Sequence, residues 1–150
     1  MGLDTSHDAW HGAYSAFKRW REKLAEVAGL PPLMMMEGFW VAGEAPYDPA
    51  TLIFHDPSGK EAVQRFHSGL PIKWDCLKPD PLHKLLFHSD CDGEIAAEDC
   101  GPIADSLEKL LPLLPNGGGG GHIDNWRGKT EQFIKGLREA AAENESLDFH

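Results

Sequence analysis

Two breaks limit how far any helix in this chain can run. The first is Gly29-Leu30-Pro31-Pro32; the second is Pro112 and Pro115, followed by the consecutive glycines Gly117–Gly121. Proline inside a helix removes a backbone donor and collides with the preceding turn, while glycine readily takes the left-handed conformation that ends one. Around these breaks, apolar residues recur at three- and four-residue steps, the period of a helix buried on one face. Trp10, Ala13, Tyr14, Phe17, Trp20, Leu24 and Val27 predict a helix over 8–28, capped by Ser6 and closed at Gly29. Asp80 and Pro81 start a second helix as N-cap and first helical residue, with Leu82, Leu85, Leu86 and Phe87 facing inward. Ile103, Leu107, Leu110, Leu111 and Leu114 mark a third, which Pro112 kinks or ends. Trp126, Phe133, Ile134, Leu137 and Ala141 mark a fourth over 124–144, after which Leu147 and Phe149 are placed to dock back on the core.

Residues 33–80 carry no sustained period. Thr51–Phe54 is a short strand candidate, Asp56-Pro57-Ser58-Gly59 is a turn signal, and Glu61–Phe66 suits a helix or a strand equally. The fold class expected is therefore mainly α: four principal helices, an irregular middle region, and room for one small β-hairpin. A chain of 150 residues is the length of one domain, assigned here to residues 1–150, with 116–121 as a flexible glycine-rich linker inside it.

Charge narrows the partners. The chain has 24 acidic and 14 basic residues, a net charge of −10, so it lacks the basic face that bulk nucleic acid requires. No apolar run approaches the ~20 residues of a membrane span, so no membrane partner is expected. The first residues lack the basic start and apolar core of a secretion signal. With three cysteines, Cys76, Cys91 and Cys100, the expectation is a reducing, cytoplasmic location with free thiols; Cys91 and Cys100 are the pair to test under oxidation.

The densest chemistry lies in the twelve residues from His88 to Asp99. With Gly93 set at the sixth position of a calcium-binding EF-hand loop, His88 takes the first, Asp90 the third, Asp92 the fifth, Glu94 the seventh, Ile95 the eighth and Asp99 the last. Such a loop needs oxygen ligands at its first, third, fifth and last positions and a glycine at the sixth for the sharp turn. Asp90, Asp92, Gly93 and Ile95 fit. His88 does not, because imidazole nitrogen is a poor ligand for a hard cation, and Asp99 is one methylene shorter than the usual glutamate. The loop is thus read first as a helix-joining turn and second as a weak calcium site. A zinc reading takes His88, Cys91 and Cys100, with a fourth ligand from His7, His11 or His122.

A second polar patch lies near the start. On a continuous helix, His7, His11, Tyr14, Lys18 and Arg21 share one face. Cations and rings in that arrangement suit an anionic small molecule, with charges pairing phosphate and rings stacking a base. Arg127, Lys129 and Lys135 offer similar charges on the last helix. There is no nucleophile motif, and Ser6 beside His7 or Ser89 beside His88 is only sequence adjacency.

Three blocks stand out together: Gly2-Leu3-Asp4-Thr5-Ser6-His7, His88-Ser89-Asp90-Cys91-Asp92-Gly93-Glu94-Ile95, and Glu145-Ser146-Leu147-Asp148-Phe149-His150. On these the chain resembles a family of small uncharacterised proteins of bacteria and their phages. The resemblance brings no assigned activity; a phage setting implies counteraction of host defence, for example by sequestering a nucleotide signal. The reading that follows is a non-enzymatic binding protein with the acidic turn as a structural or weak metal site. The alternatives are a binder of a nucleotide or other anionic small molecule through His7, His11, Tyr14, Lys18 and Arg21, and a small metal-dependent hydrolase.

Overall fold

Every long helix buries the stripe that its apolar spacing predicts. In the computed structural model, which describes residues 2–39, 64–65, 68, 70–118 and 125–150, the order is β1 (Gly2–Asp4), β2 (His11–Ala13), α1 (Tyr14–Val27), α2 (His83–Leu86), β3 (Glu94–Ile95), α3 (Ala97–Leu110), α4 (Trp126–Ala142) and β4 (Leu147–Asp148). The class is mainly α, with two small antiparallel sheets, β1–β2 and β3–β4. None of the described helices is long and apolar enough to cross a membrane. The strand and turn expected at 51–59, most of the segment 61–66, the core of the glycine run and His122 lie outside the described residues.

The helix ends follow their chemistry. Asn125 caps α4 by accepting from the Gly128 amide at 3.1 Å. α2 starts at His83 with Leu82 as its N-cap, not at Pro81 with Asp80 as its cap; Asp80 instead shapes the preceding turn, where it accepts the Leu82 amide at 2.8 Å. Gly29, at φ 75°, closes α1: its amide donates to Glu26 and that of Leu30 to Ala25, the pairing of a Schellman motif. Asn144, at φ 54°, closes α4 in the same way, through Asn144 to Ala141 and Glu145 to Ala140. Past Leu110 the third helix tightens into a 3-10 turn over Leu111–Leu113, where Pro112 denies it a donor.

The core is aromatic. Trp10, Phe17, Trp20 and Phe133 are fully buried, and Trp20 lies 4.9 Å from Phe133 and 5.2 Å from Trp10 between ring centroids. Burying each such side chain is worth about 1.5–3 kcal/mol. Trp20 keeps its one polar atom satisfied by donating to Thr130 Oγ1 at 2.9 Å, and Thr130 in turn donates to the Trp126 carbonyl. α3 and α4 pack along their length, tied at the surface by Arg138 to Asp105 and Glu108 at 2.7 and 2.9 Å.

Three further expectations need correction. The first helix begins at Tyr14, not at residue 8. His7 and Asp8 sit at φ 57° and 51°, which no α-helix admits, and residues 11–13 pair instead with 2–4, Leu3 opposite Gly12. Trp10 imitated the helical period because it is buried for another reason: Thr5 Oγ1 accepts its amide at 2.9 Å, and its carbonyl accepts the Thr5 amide. Ser6 caps no helix and instead accepts the Asp148 amide at 2.9 Å. Phe87 lies past the short α2 and is half exposed, edge-on to Trp74.

Candidate functional site

Residues 2–7, 88–95 and 145–150 are far apart in sequence and meet at one corner of the fold. β4 pairs with β3, Glu94 opposite Asp148 and Ile95 opposite Leu147. The other edge of the same segment joins the N-terminal strand: Asp4 and His150 exchange both backbone hydrogen bonds at 2.9 Å, and Thr5 bridges Phe149. The Phe149 amide donates to the Gly93 carbonyl, also at 2.9 Å. Buried Leu3, Ile95, Leu147 and Phe149 fix this corner on the core, because period-2 alternation turns one side of each short strand inward.

The central turn spends its polar groups on its own shape. Gly93 takes φ 92°, the conformation expected of it. The His88 ring has Nδ1 2.8 Å from the Ser89 carbonyl and Nε2 3.0 Å from the Glu94 carbonyl. Asp92 accepts the Ser89 hydroxyl at 2.7 Å, Asp99 pairs with Lys84 at 2.8 Å, Asp90 is half-buried, and Glu94 is exposed on β3. No three of His88, Asp90, Asp92, Glu94 and Asp99 have side-chain ligand atoms within 4.8 Å of one another. Nor do the sulfurs join such a set: Cys91 is exposed beside Ser89 and Asp92, whereas Cys100 is buried with its thiol donating to the Ala96 carbonyl at 3.4 Å. Burial pushes the Cys100 thiol pKa up, which disfavours the thiolate a metal would need.

The N-terminal patch is divided. Tyr14, Lys18 and Arg21 lie on α1; His7 and His11 lie outside it, so the five share no helical face. Tyr14 and Lys18 are half-buried, Tyr14 against the core. Arg21 is fully buried and serves the fold. Its Nη1 donates to the carbonyls of Leu86 at 3.0 Å and His88 at 2.5 Å, which α2 leaves without partners, and its guanidinium lies 4.5 Å over the Phe17 ring. Burial brings its pKa down to about 10, so the charge persists at neutral pH, with the nearby Asp90 opposing the shift. His11 is held between two carboxylates, Asp4 at 2.7 Å and Asp8 at 3.1 Å.

His7 is different again. Its side chain is only 10% exposed, with Nε2 3.1 Å from Glu145 and Nδ1 3.9 Å from Glu143. Among the described residues, His7, Glu143 and Glu145 are the one set of three His, Cys, Asp or Glu side chains whose ligand atoms all lie within 4.8 Å of one another. Local structure explains the meeting. The Schellman motif puts Glu143 at the C-cap and Glu145 two residues on, either side of left-handed Asn144. α4 also runs along residues 7–11. Gln132 donates to the Asp8 carbonyl at 2.8 Å and Lys129 to the His11 carbonyl at 3.1 Å, while Gly136 leaves room for Ala9 and the His7 carbonyl. Sequence reasoning singled out His7 but neither glutamate. The signal lay in two acids flanking an Asn at a helix end, but nothing local tied them to residue 7.

No family model, curated protein or solved structure matches this chain.

Proposed function

We propose that this chain is a non-enzymatic binding protein, and that its ligand is a divalent cation taken at the corner where residues 2–7, 88–95 and 145–150 meet. One observation carries this reading: both histidines of the N-terminal patch face carboxylates, His7 those of Glu143 and Glu145, His11 those of Asp4 and Asp8. An anion placed there meets like charge, and Arg21, the natural partner for a phosphate, is committed to backbone carbonyls. The net charge of −10 favours cations in the same direction. In the phage setting that the sequence resemblance implies, the protein acts on host defence by binding rather than by chemistry.

The test is a melting-temperature screen of chelator-treated protein against Zn²⁺, Mn²⁺ and Ca²⁺ and, separately, against nucleotides and cyclic dinucleotides. A ligand present at 100 times its Kd adds about 2.7 kcal/mol of stability. Metals are expected to raise the melting temperature and nucleotides to leave it unchanged. The opposite pattern would restore the anion-binding alternative at Tyr14 and Lys18.

A further inference from the structure

Resting on that cation-binding reading, we propose that His7, Glu143 and Glu145 form a three-ligand site for a transition-metal dication of the zinc class. Two atoms bound to zinc at 2.0–2.2 Å and at the tetrahedral angle lie roughly 3.4 Å apart. His7 Nε2 and Glu145 stand 3.1 Å apart, close to that figure; Glu143 faces the other ring nitrogen at 3.9 Å, and its exposed side chain has to turn toward Nε2 to complete a set whose ligand atoms lie within 4.8 Å of one another. The pair at 3.9 Å is too long for a hydrogen bond. His7 is the fixed member, its ring nine-tenths buried and its backbone held by the turn against α4. The glutamates are the adjustable members, about three-fifths exposed, and they leave the outer side of the site open to water as a further ligand.

The donor set selects the ion. One imidazole nitrogen with two carboxylate oxygens suits zinc, or cobalt as its spectroscopic substitute. Calcium requires six to eight oxygens and tolerates imidazole poorly, and the central turn does not supply them. Occupation would join residue 7 to residues 143 and 145, so the ion would clamp the N-terminal turn to the end of α4.

The experiment is calorimetric titration of the chelator-treated full chain with Zn²⁺, together with visible absorption on adding Co²⁺. It is applied to the unaltered protein and to His7→Asn, Glu143→Gln and Glu145→Gln. Asparagine tolerates the left-handed backbone of residue 7, and the glutamines are isosteric on exposed positions, so all three variants should fold; circular dichroism checks this. The proposal expects one equivalent of Zn²⁺ on the unaltered chain and at least a tenfold weaker Kd in each variant, with loss of the Co²⁺ band. Equal affinity in all four proteins places the metal elsewhere; it overturns the assignment and leaves the cation-binding reading standing. Absence of Zn²⁺ and Co²⁺ binding to the unaltered chain overturns the assignment, and a simultaneous lack of any Mn²⁺ or Ca²⁺ shift removes the cation-binding reading with it.

Discussion

The imidazole of His88 lies flat on the ring of Phe149, with centroids 4.1 Å apart and planes 28° from parallel. The same phenylalanine donates its amide to Gly93, so one residue holds the acidic turn by its ring and by its backbone. Its ring also meets that of Phe17 at 5.9 Å between centroids, which continues the aromatic core into the corner.

Phe149→Ala is therefore expected to cost about 3 kcal/mol in urea denaturation, the usual loss for deleting a buried phenylalanine. Residues 88–95 should lose amide-exchange protection in the same variant. A loss below about 1 kcal/mol would mean that the corner is held by its backbone bonds alone.

Two helical glycines make different predictions. A β-carbon on Gly136 would meet Ala9, its Cα at 2.8 Å and its methyl closer still, and the His7 carbonyl at 3.1 Å; one on Gly101 would meet nothing within 4 Å. Its chain neighbour Pro102 crowds a β-carbon on the residue before it, which offsets the gain in helix propensity, so Gly101→Ala should change stability by less than about 1 kcal/mol. Gly136→Ala should destabilise by about 2 kcal/mol or more, because backbone must move. Thermal denaturation of the two variants side by side decides it; equal effects would refute the close approach of α4 to residues 7–9.

His11 should make stability depend on pH. Hydrogen bonds to Asp4 and then Asp8 raise its pKa above 6.5 in the folded state. The folded state thus binds the proton more tightly than the unfolded chain. The contribution is fully present below pH 6.5 and is lost as pH rises through the higher folded value. The groups are exposed, so the effect is small and screened by salt. An NMR titration should place the His11 midpoint above 6.5, and Asp4→Asn should lower it. A midpoint that Asp4→Asn leaves unmoved would contradict the pairing.

Local rules made the helices legible. Gly29 and the proline at 112 act over one turn, and the buried stripes of α1, α3 and α4 follow from spacing alone. Residues 8–13 depart from the helix that their spacing predicts for a physical reason. Trp10, Ala13, Tyr14 and Phe17 keep a helical period, yet a tight hairpin buries Trp10 just as well. Only His7 and Asp8 in left-handed conformations, which no pattern signals, reveal the difference. Arg21 looked like a ligand for an anion because a cation on an amphipathic edge is usually solvated; here distant carbonyls 64 to 67 positions on claim it. The His7 cluster was hidden for the same reason, since its members are brought together by α4 and not by spacing.

The reciprocal bonds between Asp4 and His150 also set an order of events. The Asp148 amide that meets the Ser6 hydroxyl lies 142 positions further along the chain. The helices can pack on one another before residues 147–150 dock, but the N-terminal hairpin then has no strand to close against. Closing so long a loop is entropically costly, so the corner joins a core already formed and does not nucleate it. A chain cut before residue 143 would hold His7 without its glutamates, so the metal site proposed here would depend on the segment just past α4 as well as on the N-terminal turn.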